Sequence, residues 1–357
     1  QHSVLETSKL DKSINADGQK QINNYVVLNL LGKGSFGKVK MVLNTQNKQK
    51  FALKIINRNK LKRKMLDRNK SAYTLIEKEV AILKRMAHPN IAKLYEVIDD
   101  QDQEKIYLVI DLVKKGSLNS KNYWKNEKGK KYNENEKYFI PIDRVRKYFR
   151  DFVLGLDYLH NFANVIHRDI KPDNLLISEN DELKIADFGV SSMFEGGDDK
   201  LSNDHGTKCY LAPEIWKGED FKGRPTDIWA AGVTFYEIIV GERPFQGRKN
   251  EELKKNILES EVQYPQDMDE NLKNMLKKCL IKNPDQRYTI ENLMTDAWVT
   301  NNGVEKLDFI IQENKQLEVN ENDIGNALTK QVKNRRVSIK AQLITHSNLQ
   351  RLNVKHY

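Results

Sequence analysis

Five short strings in a fixed order leave this chain few folds to choose from. The first is Gly32-Lys33-Gly34-Ser35-Phe36-Gly37-Lys38-Val39. Its glycines let backbone N–H groups approach an anion closely, because no Cβ stands in the way. Val/Leu-rich stretches flank it, Tyr25–Leu31 and Val39–Leu43, and both read as strands. The glycines therefore sit in a hairpin rather than at a strand-to-helix turn. Phe51-Ala52-Leu53-Lys54 comes next, a lysine among apolar neighbours in a third strand, Phe51–Ile56. Further on stand His167-Arg168-Asp169-Ile170-Lys171-Pro172-Asp173-Asn174, then Asp187-Phe188-Gly189, then Ala212-Pro213-Glu214.

Periodicity between the strings divides the chain. Ser71–Met86 places Leu75, Val80, Ile82, Leu83 and Met86 at amphipathic-helix spacing, and His88-Pro89-Asn90 ends that helix. Ile91–Ile98 and Ile106–Leu112 read as two more strands. Helices are expected at Asp143–His160, Thr226–Val240, Leu253–Leu258, Glu270–Leu280 and Ile290–Thr295. The expected fold is α+β and bilobal: a small antiparallel-sheet lobe over about 25–112, then a mainly helical lobe over about 113–298. Residues 1–24 lack periodicity and read as a flexible lead. Residues 117–141 read as a polar surface excursion, and 299–357 as a basic tail.

The ordered set resembles the eukaryotic Ser/Thr protein kinases over residues 25 to 300. The resemblance implies ATP and Mg2+ as cofactors. It implies that Leu31, Gly32, Lys33, Gly34, Ser35, Phe36, Gly37 and Val39 cover the nucleotide, with Ala52 and Leu176 packing the base. Ile110 guards the back of that pocket and Ala186 adds to its floor, while Asp111 and Val113 offer backbone groups. Lys54 would hold phosphate oxygens, fixed by Glu79, with Glu77 as the fallback. Asp169 would orient and deprotonate the acceptor hydroxyl, and Lys171 would neutralise charge on the group in flight. Asn174 and Asp187 are the expected metal ligands, since hard cations take oxygen donors. Three supports are implied as well: Arg168 tethering the activation segment, Glu214 paired with Arg287, and Asp227 bracing the catalytic loop.

Further stretches are similar to the calcium/calmodulin-dependent protein kinase kinases and related activators of AMP-activated-type kinases. They include Tyr107–Gly116, Leu154–His160, Ile185–Ser191, Phe194-Glu195-Gly196 and Asp296-Ala297-Trp298-Val299-Thr300. That likeness implies an upstream kinase acting on the activation-loop Thr of other kinases. Asn203 stands where many kinases carry a phosphorylatable residue, so the loop is expected to work without phosphorylation. Lys114-Lys115-Gly116-Ser117 after the hinge implies little demand for Arg in the substrate. The basic stretch Arg58–Lys70 has no proline, unlike the insert of that family. An ordinary calmodulin-dependent or AMP-activated-like kinase with other substrates is the competing reading. A pseudokinase binding module would be expected to lack one of Lys54, Asp169 or Asp187, and none is missing.

The formal net charge is +10, concentrated in Arg58–Lys70 and in the tail. Ile324, Leu328, Val332, Ile339 and Leu343 fall roughly on one helical face of that tail. Two readings stand: a calmodulin target within 324–345, or a solvated basic arm. Arg335-Arg336-Val337-Ser338 resembles a site for basophilic kinases, and phosphate at Ser338 could release a partner. No nucleic-acid module is visible. No apolar run reaches the ~18 residues of a membrane span, and the first thirty residues lack a signal-like apolar core. Cys209 and Cys279, far apart, suit a reducing cytoplasm, with a nuclear location left open. Cys279 reads as core filler; for Cys209 two readings stand, the same filler or an exposed, oxidisable thiol. A monomer acting on protein substrates is expected.

Overall fold

The computed structural model describes residues 3–34, 37–67, 70–113, 115–119, 140–188, 191–193, 199–201, 206–218, 220–308 and 321–328. The upper lobe is one sheet. Its strands are β1 (Leu5–Thr7), β2 (Lys12–Ile14), β3 (Lys20–Ile22), β4 (Tyr25–Gly34), β5 (Gly37–Asn44) and β6 (Lys50–Asn57). A two-strand ribbon, β7 (Met65–Asp67) and β8 (Lys70–Ser71), intervenes before β9 (Leu94–Ile98) and β10 (Lys105–Ile110) complete it. The order is β1-β9-β10-β6-β5-β4-β3-β2, antiparallel throughout except where β1 runs parallel to β9.

Alternation decides what each face of this sheet does. Ala52 and Lys54 on β6 pair with Ile110 and Leu108 on β10, and all four line one cleft. Leu53, Tyr107 and Val109 point the other way into a separate apolar cluster with Tyr25, Val42 and Phe51. Helix α1 (Arg58–Arg63) and helix α2 (Ala72–Arg85) lie beside the sheet. α2 buries Ile76, Val80 and Leu83 in a core shared with Phe149, Phe152 and Leu156 of α3 (Ile142–Asp157). That core also takes Phe235, from the long helix Gly223–Val240. The expected helices lie within a few residues of the observed ones, and Ile290–Thr295 is matched at both ends.

Three expectations give way. Residues 5–22 are not a structureless lead: β1, β2 and β3 join the sheet. They are held mainly by main-chain bonds and a few polar anchors, with Ile22 buried in the outer apolar cluster and Leu10 packed against it. Thr7 Oγ1 donates to Glu96 Oε1 at 2.5 Å, and Tyr25 OH donates to Glu96 Oε2 at 2.6 Å. The Asn15 side chain closes the β2–β3 turn by accepting from the Asp17 and Gln19 amides. Arg58 is no surface charge. It is buried, ion-paired with buried Asp99, and donates to the backbone oxygens of Gln101 and Gln103. Part of the tail is docked: a short helix, Glu321–Gly325, lies on α2, Arg85 Nη2 meets Asp323 at 2.6 Å, and Ala327 and Leu328 are buried. Ile324 packs against the same core. Two members of the expected calmodulin stripe are thus inward-facing; residues 329–345, with Ser338, and most of 117–141 lie outside the described residues.

His88, just past the end of α2, stacks on Tyr158 with ring centroids 5.0 Å apart, and its Nδ1 accepts from the Asn90 amide. Burial, assisted by Lys184, pushes its pKa down from 6.5 to about 4. The folded chain keeps His88 neutral where the unfolded chain protonates it. Its contribution to stability is therefore complete above pH 6.5 and is lost as pH falls towards about 4. Melting temperatures across that interval are expected to fall less steeply for His88→Asn than for the wild type. Equal slopes would contradict the assignment.

Candidate active site

The strand face described above meets the helical lobe at a cleft of about 470 Å³. Leu31, Gly32, Gly37, Val39, Ala52 and Leu176 line it, as do Ile110, Asp111, Val113 and Ala186. Gly37 is required by close approach: a Cβ there would lie 1.8 Å from the Ile55 carbonyl oxygen, so β5 can run against β6 only with glycine. Ser35 and Phe36 lie outside the described residues, as does the side chain of Lys33. Leu83, Leu108, Ser117 and Asp173 also line the cleft and were not foreseen. Leu108 was recoverable, since strand alternation places it on the face of Ile110. The Asp111 amide is already given to the Lys93 carbonyl at 3.0 Å, and its carboxylate accepts from the Lys93 amide and Tyr95 OH. Of its backbone groups, only the carbonyl remains to be offered.

At the back of the cleft, Lys54 Nζ lies 2.6 Å from Glu79 Oε1 and 3.7 Å from Asp187 Oδ1. Glu79, not Glu77, is the partner. It is 2% exposed, whereas Asp187 is 52% exposed. Burial works against the lysine's charge, but the carboxylates of Glu79 and Asp187 outweigh it and hold the Lys54 pKa above its ordinary value. Lys54 is therefore a fixed cation facing open space. Asp187 has a left-handed backbone, φ 66°, and Phe188 beside it is buried against the His167 ring. Burying the ring leaves the preceding carboxylate turned into the cleft.

Below the cleft, one cluster gathers Asp169, Lys171, Asn174 and Thr207. Lys171 Nζ donates to Asp169 Oδ2 at 2.6 Å and to Thr207 Oγ1 at 2.7 Å. Thr207 donates to Asp169 Oδ1 from its hydroxyl at 2.7 Å and its amide at 3.1 Å. Asn174 Nδ2 donates to the Asp169 carbonyl at 2.8 Å. Thr207 reaches this position because Gly206 has φ +126°, where a Cβ would come 2.6 Å from the Arg168 carbonyl oxygen. The contact of Thr207 with Asp169 joins residues far apart in the chain, so nothing local in the sequence reveals it.

Three supports fix the loop. Asp227 is fully buried and accepts from the His167 and Arg168 amides at 2.8 Å each, with His160 Nε2 at 2.9 Å. Arg168 Nη1 donates to Ser192 Oγ at 2.7 Å. Glu214 and Arg287 form a two-pronged pair at 2.7 and 2.9 Å. Cys279 is buried, and burial pushes its thiol pKa up; Cys209 is half-buried. Residues 202–205, with Asn203, and Lys114 lie outside the described residues. The donor set suits a nucleotide with a hard cation: a fixed ammonium, an exposed carboxylate and an amide side chain converge on a cleft with apolar walls.

A family model described as the protein kinase domain matches residues 25–299. A probable serine/threonine-protein kinase of Dictyostelium discoideum is 36% identical over 314 residues, 86% of this chain and 43% of that protein. Serine/threonine-protein kinase GRIK1 of Arabidopsis thaliana is 36% identical over 300 residues, 84% of this chain and 72% of that protein. A calcium/calmodulin-dependent protein kinase kinase of Caenorhabditis elegans is 34% identical over 335 residues, 86% of this chain and 58% of that protein. The chain thus spans well under two thirds of the Dictyostelium and Caenorhabditis proteins.

Removing one member of a buried ion pair leaves the other charged and unpaired. Arg287→Ala is expected to lower unfolding stability by about 3–5 kcal/mol, read by denaturant titration. A loss under ~1 kcal/mol, as for a surface pair, would contradict the burial of Glu214.

Proposed function

The chain belongs to the protein kinase family, among its serine/threonine kinases, and from that premise we propose that it transfers the terminal phosphoryl group of ATP to Ser or Thr hydroxyls of proteins. The observation that carries the proposal is the Asp169 cluster. Both carboxylate oxygens of Asp169 are fixed by Lys171, Asn174 and Thr207 at the edge of the cleft that holds Lys54 and Asp187. When bound, Mg-ATP supplies the transferable group and a cation that offsets its charge. Asp187 and Asn174 would hold the cation. Lys54, braced by Glu79, would hold phosphate oxygens. Asp169 would accept a hydrogen bond from the acceptor hydroxyl and take its proton. Lys171, already bridging Asp169 and Thr207, would place positive charge beside the transfer path. Preorganised charges of this kind need no rearrangement as the reaction proceeds.

The substrates we propose are other kinases, modified on an activation-loop Thr. Support comes from the stretches similar to the calcium/calmodulin-dependent protein kinase kinases and from the nematode relative of that name. Calmodulin is the proposed partner of 324–345, which requires Ile324 and Leu328 to leave the core they now pack against. A monomer in the cytoplasm completes the reading.

The test is purified chain with Mg-ATP and a panel of catalytically inactive kinases, with and without calcium–calmodulin. Phosphate on a single activation-loop Thr is expected, with Asp169→Asn lowering the rate by about a hundredfold or more. Equal transfer to unrelated proteins would favour an ordinary calmodulin-dependent or AMP-activated-like kinase. Undiminished turnover in Asp169→Asn would refute the catalytic assignment.

A further inference from the structure

The outer face of the sheet, turned away from the cleft, holds a second and larger cavity. β2 and β3 curl over this face, and Lys12 Nζ donates to Gln103 Oε1 at 3.0 Å across the fold. Beneath them is a space of about 910 Å³. Its floor includes Val27, Ile55 and Tyr107. Its walls carry Lys12, Lys20, Lys38, Lys40, Lys60 and Lys105, and among the described residues no Asp or Glu lines it. Among the described residues none of these six lysines is in an ion pair. Alternation accounts for two of them: Lys38 and Lys40 pair with Ile55 and Leu53, so all four share the outer face.

Nothing in the fold calls for this charge. Like charges around one opening repel, and a concave opening with low-dielectric walls concentrates their field. Lysines on an edge strand can guard against self-association. That role covers Lys12 on β2 but not Lys38, Lys40 or Lys105 on interior strands, nor Lys60 on α1. We infer that this cavity is a docking groove for an extended acidic segment of a partner protein, with carboxylates against the lysine walls and interspersed apolar side chains on the floor.

The chemistry favours that occupant. Nucleic-acid surfaces use arginine forks and exposed aromatic rings for stacking. Among the described residues the groove has no arginine, and its Tyr107 is 2% exposed. A planar bilayer would touch the rim and miss the floor. Lysines on flexible stems accept carboxylates at variable spacing, as an extended chain presents them. β2 ends the sheet and offers a strand edge alongside the groove. Gly37 lines this groove as well as the active-site cleft, so an occupant would rest against the back of the glycine hairpin. The inference does not depend on phosphoryl transfer.

The test uses the full chain and a fluorescein-labelled peptide in which Asp and Glu alternate with Leu, followed by anisotropy. The control replaces the acids by Asn and Gln. Binding is expected for the acidic peptide alone, weakening as salt rises, and weakening about tenfold or more in K12E/K20E/K105E. Carbodiimide coupling on the wild-type chain, mapped by mass spectrometry, is expected to join peptide carboxylates to the six groove lysines. That map decides the matter alone if the triple variant does not fold. Equal binding of the neutral peptide, no binding, an unaffected variant, or coupling confined to the basic tail would overturn the proposal. So would phosphatidylserine vesicles or an oligonucleotide engaging these lysines while the peptide does not.

Discussion

Everything in the upper lobe is arranged around one buried ion pair, Lys54 with Glu79. A carboxylate at 2% exposure is tolerable only with a cation held against it, and its second oxygen has no hydrogen-bond partner among the described residues. The pair therefore demands that β6 and α2 be seated correctly against each other. β6 is fixed by β5 on one side and β10 on the other. α2 is fixed by Ile76, Val80 and Leu83 in the core and by the docked tail segment across Arg85 and Asp323. The result is a lysine whose charge is secured but only partly consumed, since Asp187 stands 3.7 Å away with its carboxylate half exposed.

The lower lobe solves a matching problem with an irregular loop. His167 to Asn174 must present Asp169 and Asn174 without a helix or long strand to hold them. Asp227 does this from its helix by accepting two consecutive backbone amides. Beyond the loop, Asp181 collects Lys115, Arg144 and Tyr148 at 2.7, 2.5 and 2.9 Å. Burial would raise its pKa, but these donors outweigh burial and hold it well below the usual carboxylate range. The Asp181 contribution to stability is therefore present above the ordinary Asp pKa and lost only in strong acid. These polar hubs tie the strands after the catalytic loop to α3, so the reacting groups sit on a rigid base.

What the sequence made legible follows from which interactions are local. Strands and helices with strong alternation or helical spacing were readable, as were the residues inside the ordered strings. Glu79 was separable from Glu77 because Glu79-Val80-Ala81-Ile82-Leu83 matches the pattern of the family the chain resembles. Contacts between distant segments were not readable. Thr207 meets Asp169 only because Gly206 takes a backbone conformation that other residues avoid. β1, β2 and β3 carry almost no apolar periodicity, since they are specified mainly by main-chain pairing, by Thr7 on Glu96 and by the single buried Ile22. Arg58 looked like one more charge in a basic run until Asp99 was found facing it. Ile324 and Leu328 looked like part of an amphipathic stripe, and nothing local says that their apolar face is already occupied.

The most direct measurement compares Glu79→Gln with Glu77→Gln, in folded protein, for turnover on a protein substrate at saturating Mg-ATP. If the Lys54–Glu79 pair organises the site, Glu79→Gln loses on the order of a hundredfold in rate, and Glu77→Gln stays near the wild type. Equal rates in the two variants, or full activity in Glu79→Gln, would contradict the account.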